Sequence, residues 1–214
     1  EMATRNGQRL ELSLPDGSKL QVNAATVVSY PSVFSDSIRL VILDGEAYFD
    51  VVQDGRPFVV QTAHTSVRVM GTAFNVWARD SQTRVIVKDG RVALRPVDDP
   101  KAPGVIVTAG QMSIHRAFNT LEPARIVDVD NLLSWLDGAL MFDQTPLTEL
   151  VDELQRFYDV PIVITDPALK TRPLTARFQD KSIEAVLDAI CLALDAQYSR
   201  EADIYRISTE SGRQ

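Results

Sequence analysis

Few side chains in this sequence could do chemistry. Two histidines, His64 and His115, and one cysteine, Cys191, are its whole stock of soft metal ligands and strong nucleophiles. A structural zinc site takes four Cys or His ligands and a catalytic one three. Neither histidine has a cysteine or carboxylate at ligand spacing. His64 lies in Gln61-Thr-Ala-His-Thr-Ser66, a turn between two strands, and His115 in Ser113-Ile-His-Arg116, a strand end, so both are expected to be solvated. Two carboxylates can act as general acid and base only if they face a shared substrate. Asp152 and Glu153 are adjacent on a predicted helix and point apart. There is no GxSxG, Walker-type loop or GxGxxG. The expectation is a protein without catalysis, metal or cofactor, whose thermal midpoint a chelator leaves in place. A lone cysteine closes no intrachain disulfide, so it says nothing about compartment.

Charge narrows the partners. Lys plus Arg is 22 against 29 for Asp plus Glu, a formal net charge of −7 without a basic block. A phosphate backbone needs a positive footprint, so nucleic-acid binding is not expected. No apolar run reaches the roughly 18 to 20 residues that span a bilayer. Leu40 to Leu43 and Val105 to Val107 are strand-sized, and Glu1-Met-Ala-Thr-Arg5 does not resemble a signal peptide.

From Gln8 to Arg116 the elements are short β-branched and aromatic runs. Asp-Gly pairs at Asp16-Gly17, Asp44-Gly45, Asp54-Gly55 and Asp89-Gly90 read as hairpin turns, because a type I′ turn needs positive φ at both central residues. The clearest runs from Arg84 to Lys88, turns at Asp89-Gly90 and returns from Arg91 to Arg95. That turn would set Val87 opposite Val92 and Val85 opposite Leu94 on one buried face. A second would join Arg39–Leu43 to Glu46–Asp50. Pro96, Pro100 and Pro103 mark a loop, after which Gly104–Thr108 and Gln111–His115 rejoin the β core. Trp77, in a strand with Phe74 and Val76, and Trp135 read as packing residues.

The period changes after about residue 121, where Asp130 is expected to cap a short helix over 131–136. Thr145 and Pro146 then start a helix with Leu147, Leu150, Val151, Leu154, Phe157 and Tyr158 on one face. Ser182 caps another with Ile183, Val186, Leu187, Ile190, Cys191 and Leu194. Strand-like runs flank each. The two stretches superpose at one offset: Phe142 on Phe178 (178 − 142 = 36), and likewise Leu147 on Ile183, Leu150 on Val186, Val151 on Leu187, Leu154 on Ile190 and Tyr158 on Leu194. Each is about the size of a βαβ unit, so a repeated βαβ-βαβ domain is expected, with Phe142 and Phe178 both in its core.

Taken in order, Leu14-Pro-Asp-Gly-Ser18, Gly45-Glu-Ala-Tyr-Phe49, Arg56-Pro-Phe58, Gly71-Thr-Ala-Phe74, Val87-Lys-Asp-Gly-Arg-Val92 and Thr108-Ala-Gly-Gln111 resemble the FecR family of anti-sigma regulators. Trp135-Leu-Asp-Gly-Ala-Leu140 onward is similar to the small STN domain of secretins and TonB-dependent transporters. The resemblance extends to regulators of ferric-siderophore transporters, the pseudobactin type among them. It implies an α+β chain: an all-β FecR-like domain (1–120), a linker with a short helix (121–138), an STN-like domain (139–209) and a tail (210–214). It also implies the periplasmic, signal-receiving part of a single-pass inner-membrane protein. The transporter's periplasmic signalling domain would bind it, and a sigma factor would be reached only through a cytoplasmic part outside these residues.

Sheet edges are natural docking sites by strand addition. The expected partner-binding residues are Ile162, Val163 and Ile164 in one strand and Leu174, Thr175 and Arg177 in another. A fragment from about Leu121 onward is expected to retain most of the affinity. The acidic series Asp128, Asp130, Asp137, Asp143, Glu149, Asp152 and Glu153 reads as a solvated face. Two other readings compete with a receiving module: a scaffold module of a secretin-like envelope assembly, and a glycan-acting enzyme resting only on acidic residues.

Overall fold

The computed structural model describes residues 1–97, 99, 101–117 and 121–209. The expected tail 210–214, and Asp98 and Pro100 of the proline loop, lie outside them. The chain divides into two compact units, 1–133 and 134–214. The first contains β1 (Met2–Thr4), β2 (Leu10–Ser13), β3 (Lys19–Val22), β4 (Thr26–Ser29), β5 (Arg39–Asp50), β6 (Phe58–Gln61), β7 (Thr65–Val69), β8 (Ala73–Arg79), β9 (Gln82–Asp89), β10 (Arg91–Pro96), β11 (Val105–Thr108), β12 (Gln111–Arg116), β13 (Arg125–Ile126) and α1 (Val129–Leu132). The second contains β14 (Ala139–Pro146), α2 (Leu147–Tyr158), β15 (Ile162–Ile164), β16 (Pro173–Gln179), α3 (Ile183–Leu194), β17 (Ala196–Glu201) and β18 (Ile204–Thr209). The chain is β-rich, and its described helices all follow residue 128.

In the first unit β5 belongs to two ladders. Arg39–Ile42 pair in parallel with β6, and Ile42–Asp44 pair with β4. Gly45–Asp50 pair with β8, and Ala47–Asp50 with β3. One ladder continues β6-β7-β10-β11 and the other β8-β9-β12-β13. Alternate residues of both turn into one shared core. There the Phe49 ring lies 6.1 Å from that of Phe58 and stacks at 5.1 Å on Phe74.

Asp44-Gly45 is therefore not a hairpin turn but a bend inside one strand. Gly45 has φ +119, and a Cβ there would sit 2.4 Å from Thr26 Oγ1. A strand glycine can mark close backbone approach rather than reversal, and here it lets β5 pass from one ladder to the other. Asp89-Gly90 is not a hairpin either, since β9 pairs with β8 and β12 while β10 pairs with β7 and β11. Val85, Val87, Val92 and Leu94 are all buried as expected. They do not face one another, however: Val85 lies opposite Val76 and Ser113, Val87 opposite Phe74, Val92 opposite Val107, and Leu94 opposite Val67 and Val105. Asp54-Gly55 precedes a strand parallel to β5, so it too makes no hairpin. Asp16-Gly17 does join an antiparallel pair, β2 and β3. The short helix is capped by Asp128, whose side chain accepts the Asn131 N–H, and not by Asp130.

In the second unit each helix connects two different sheets. β14 and β16 pair antiparallel, while β15, β18 and β17 form a separate three-stranded sheet. The expected βαβ units, with parallel strands in one sheet, are thus not what forms. The 36-residue period nevertheless appears in the backbone. α2 and α3 begin at 147 and 183 and end at 158 and 194. Gln144 and Asp180 before them, and Asp159 and Asp195 after them, have φ of 48, 52, 55 and 49. Met141 faces Arg177, its own repeat equivalent, at the centre of the β14–β16 ladder.

Ser182 caps α3 as expected. Thr145 does not cap α2. Instead the Leu147 and Thr148 N–H groups donate to the carbonyls of Arg172 and Lys170 at 2.9 and 3.1 Å. The apolar faces of both helices share a core with Phe142, Leu174, Tyr205 and Ile207. Phe142 is buried, whereas Phe178 is only half-buried, its ring 6.3 Å from Phe142.

Candidate functional site

A buried polar arrangement in the first unit surrounds Arg39, whose side chain is fully buried. Its Nη1 donates to Asp16 Oδ2 at 2.7 Å and to the Val52 carbonyl at 2.8 Å, and its Nη2 to the Arg56 carbonyl at 2.7 Å. The guanidinium also lies over the Phe58 ring, 5.3 Å from its centre. A buried charge persists only when paired and hydrogen-bonded. This one ties the Leu14–Ser18 loop to the segment before β6. It exposes no group to a substrate, so it is a structural lock. The exposed Asp54 carboxyl beside it is held below the usual carboxylate range by its hydrogen bonds from Arg56 and by the Arg39 charge.

The expected docking residues lie on two sheets. Ile162, Val163 and Ile164 form β15, which among the described residues pairs only with β18 and is one edge of the three-stranded sheet. That edge is short, follows Pro161, and has its Ile162 N–H already donated to Gln155 Oε1 at 2.9 Å. Leu174, Thr175 and Arg177 lie on β16, which pairs only with β14. Leu174 turns into the core. Thr175 Oγ1 accepts from the Gln144 N–H and Nε2 at 2.9 and 3.1 Å across the bulge in β14. Arg177 is exposed and forms no side-chain hydrogen bond or ion pair among the described residues. The structure therefore does not bring the six residues together. β16 is the longer edge, and Arg177 its outward charge.

Sequence similarity covers both units. The family described as "FecR protein" matches residues 1–93, and that described as "FecR, C-terminal" matches residues 139–207. Two solved structures of a candidate anti-sigma factor from Parabacteroides distasonis ATCC 8503 are similar over nearly their full length. One has a TM-score of 0.89 at 31% identity, covering 97% of this chain and 98% of that chain. The other has 0.88 at 31% identity, with 97% of each covered. The chain belongs to the FecR family. No curated protein matches it.

The motifs that carry the family resemblance acquire a physical reason at Arg39. Leu14-Pro-Asp-Gly-Ser18 supplies its carboxylate, and Arg56-Pro-Phe58 supplies a carbonyl and an aromatic face. Sequence reading missed Arg39 because an arginine starting a strand looks solvated, and its partners lie 13 to 31 positions away. It missed Glu46 for the same reason. That carboxylate is buried and accepts from Asn23 Nδ2 at 2.8 Å and Asn75 Nδ2 at 2.9 Å. His115 was expected to be solvated but is buried, its Nδ1 2.8 Å from Thr65 Oγ1. Trp77 is half-buried under the Arg84 guanidinium, 5.1 Å away, rather than in the core. Trp135 is buried. Among the described residues no His, Cys, Asp and Glu cluster could hold a metal ion, and no helix is long and apolar enough to cross a membrane.

Proposed function

We propose that this FecR-family chain is the signal-receiving part of a membrane-anchored sigma-factor regulator on the periplasmic side of a Gram-negative envelope. It acts by binding, without chemistry. The observation that carries the reading is the similarity to a candidate anti-sigma factor across 97% of the chain, which spans both units and not only the second. A scaffold module would need only the second unit, so full-length similarity favours a regulator. On this reading the second unit is STN-like and receives the periplasmic signalling domain of a TonB-dependent siderophore transporter. Binding shifts the population of two states of the regulator and so the activity of its sigma factor.

Titration calorimetry of residues 1–214 against the periplasmic signalling domains of the TonB-dependent transporters of the same organism tests the reading. Saturable one-to-one binding of one of them is the expected result. No heat from any at concentrations well above the micromolar range, together with unchanged sigma-dependent transcription when those domains are deleted, would remove the proposal.

A further inference from the structure

The internal repeat supplies a comparison within the molecule. The outward face of α3 carries Ala185, Ala189, Leu192 and Ala193, all exposed, with Leu192 at 83%. Subtracting 36 gives the same positions on α2: Glu149, Glu153, Arg156 and Phe157. There Glu149 is exposed, while Glu153, Arg156 and Phe157 are half-buried, the first two paired at 3.0 Å and the third packed against the core. Two copies of one element thus differ: three of the four positions are ions on α2, and on α3 all four are aliphatic and exposed. A single exposed leucine is ordinary. A fully exposed aliphatic row on one copy, with ions at three of the four equivalent positions of the other, is the pattern of a surface that another chain covers.

The shape and charge of α3 indicate what covers it. Residues four apart form ridges and grooves along a helix. Ala185, Ala189 and Ala193 make a shallow row, and Glu184, Asp188 and Leu192 make the raised row beside it. Glu184 is already engaged, accepting from the Tyr205 hydroxyl at 2.5 Å with Arg200 Nη1 3.9 Å away. Asp188 accepts a hydrogen bond from the Tyr198 hydroxyl but has no ion pair among the described residues. A second copy would bring two Asp188 carboxylates together on a chain of net charge −7, and an anionic lipid surface would be repelled likewise. A protein helix with an apolar ridge and a Lys or Arg edge satisfies both rows.

We infer that the outer face of α3 docks such a helix of the incoming signalling domain. This rests on the function proposed above and adds where on the chain the domain binds. The test uses the full chain with the same signalling domains as probes. Leu192→Glu and Asp188→Lys should each weaken binding about tenfold or more, the size of a lost interface anchor. Glu149→Lys on α2 and Arg177→Glu on β16 should stay within about twofold, as rim charges do. Leu192 and Asp188 are exposed, so melting curves should match wild type and separate lost docking from lost folding. Equal binding by wild type and both α3 variants overturns the inference while leaving the proposed function standing. So does loss of binding in Arg177→Glu alone, which places docking at the β16 edge. A wild-type dimer in sedimentation that Leu192→Glu dissociates makes a second copy the occupant and also overturns it. Absence of wild-type binding removes the proposed function and this inference together.

Discussion

Arg39 concentrates the first unit's dependence on one side chain. Arg39→Ala would leave Asp16, whose side chain is 1% exposed, buried without its cation. Breaking a buried pair from one side costs about 3 to 5 kcal/mol, and a urea titration should show a loss of that size. A loss under about 1 kcal/mol, the range of an exposed pair, would mean the cluster is not a lock. Arg39→Lys should fall between, because an ammonium keeps the charge but lacks the planar fork that reaches several acceptors. A second residue-scale effect concerns pH. Glu184 is held below its ordinary value of 4.5, first by the Tyr205 hydroxyl. A carboxylate depressed by folding contributes stability that is present in full above its unfolded value and lost as pH falls through its folded one. Tyr205→Phe removes the main cause, so the acid-side decline between neutral pH and pH 3 should become shallower. An unchanged decline in the variant would assign acid sensitivity to other carboxylates.

At the scale of elements, the helices were legible and three of the four Asp-Gly turns were not. α3 has a local serine cap and a six-residue apolar face, both written within its own stretch of sequence. The start of α2 was read to within a residue, but its cap was not, since its first N–H groups are satisfied by Lys170 and Arg172, beyond the helix's other end. Asp-Gly announces positive φ, and Gly45 and Gly90 do have it. The dipeptide does not say whether that freedom serves a reversal, a bend in one strand or a crossing between ladders, which tertiary pairing decides. Of the docking residues, alternation identified the strands, but only the ladders show that β15 and β16 edge different sheets. The repeat predicts equal burial for Phe142 and Phe178, and the structure makes them unequal. Phe142→Ala should cost about 3 to 5 kcal/mol, as for a fully buried phenylalanine. Phe178→Ala should cost clearly less, and the double variant should reveal coupling of about 0.5 to 1.5 kcal/mol from the ring contact. Equal losses with no coupling would show that the two rings do not share one cluster.

The whole molecule is two cores in series, and each is closed within its own stretch of chain. The first cluster runs from Leu14 to Leu121, with Ala124 packed against it. Among the described residues the second draws only on those from Leu140 to Ile207, and its strands and helices run from Ala139 to Thr209. The β-to-helix change in periodicity placed a linker at 121–138, since the sequence shows where alternation stops but not which linker residues pack on the β core. Leu121 is 7% exposed within the first core, so a fragment beginning there would carry apolar side chains whose partners had been removed. A fragment of residues 134–214 keeps the 3₁₀ turn at Ser134–Asp137 and the whole second core. It is small and has no disulfide, so its stability should sit at the low end of the usual range of about 5 to 15 kcal/mol. Urea unfolding followed by helical circular dichroism should give it a cooperative transition, at the midpoint where helical signal is lost in the full chain. Urea should act on the two cores separately, so the fluorescence of Trp77 in a full chain carrying Trp135→Phe should follow its own midpoint. A fragment that shows no cooperative transition, alongside a full chain that unfolds in a single step by both probes, would mean that the second core closes only with help from the first.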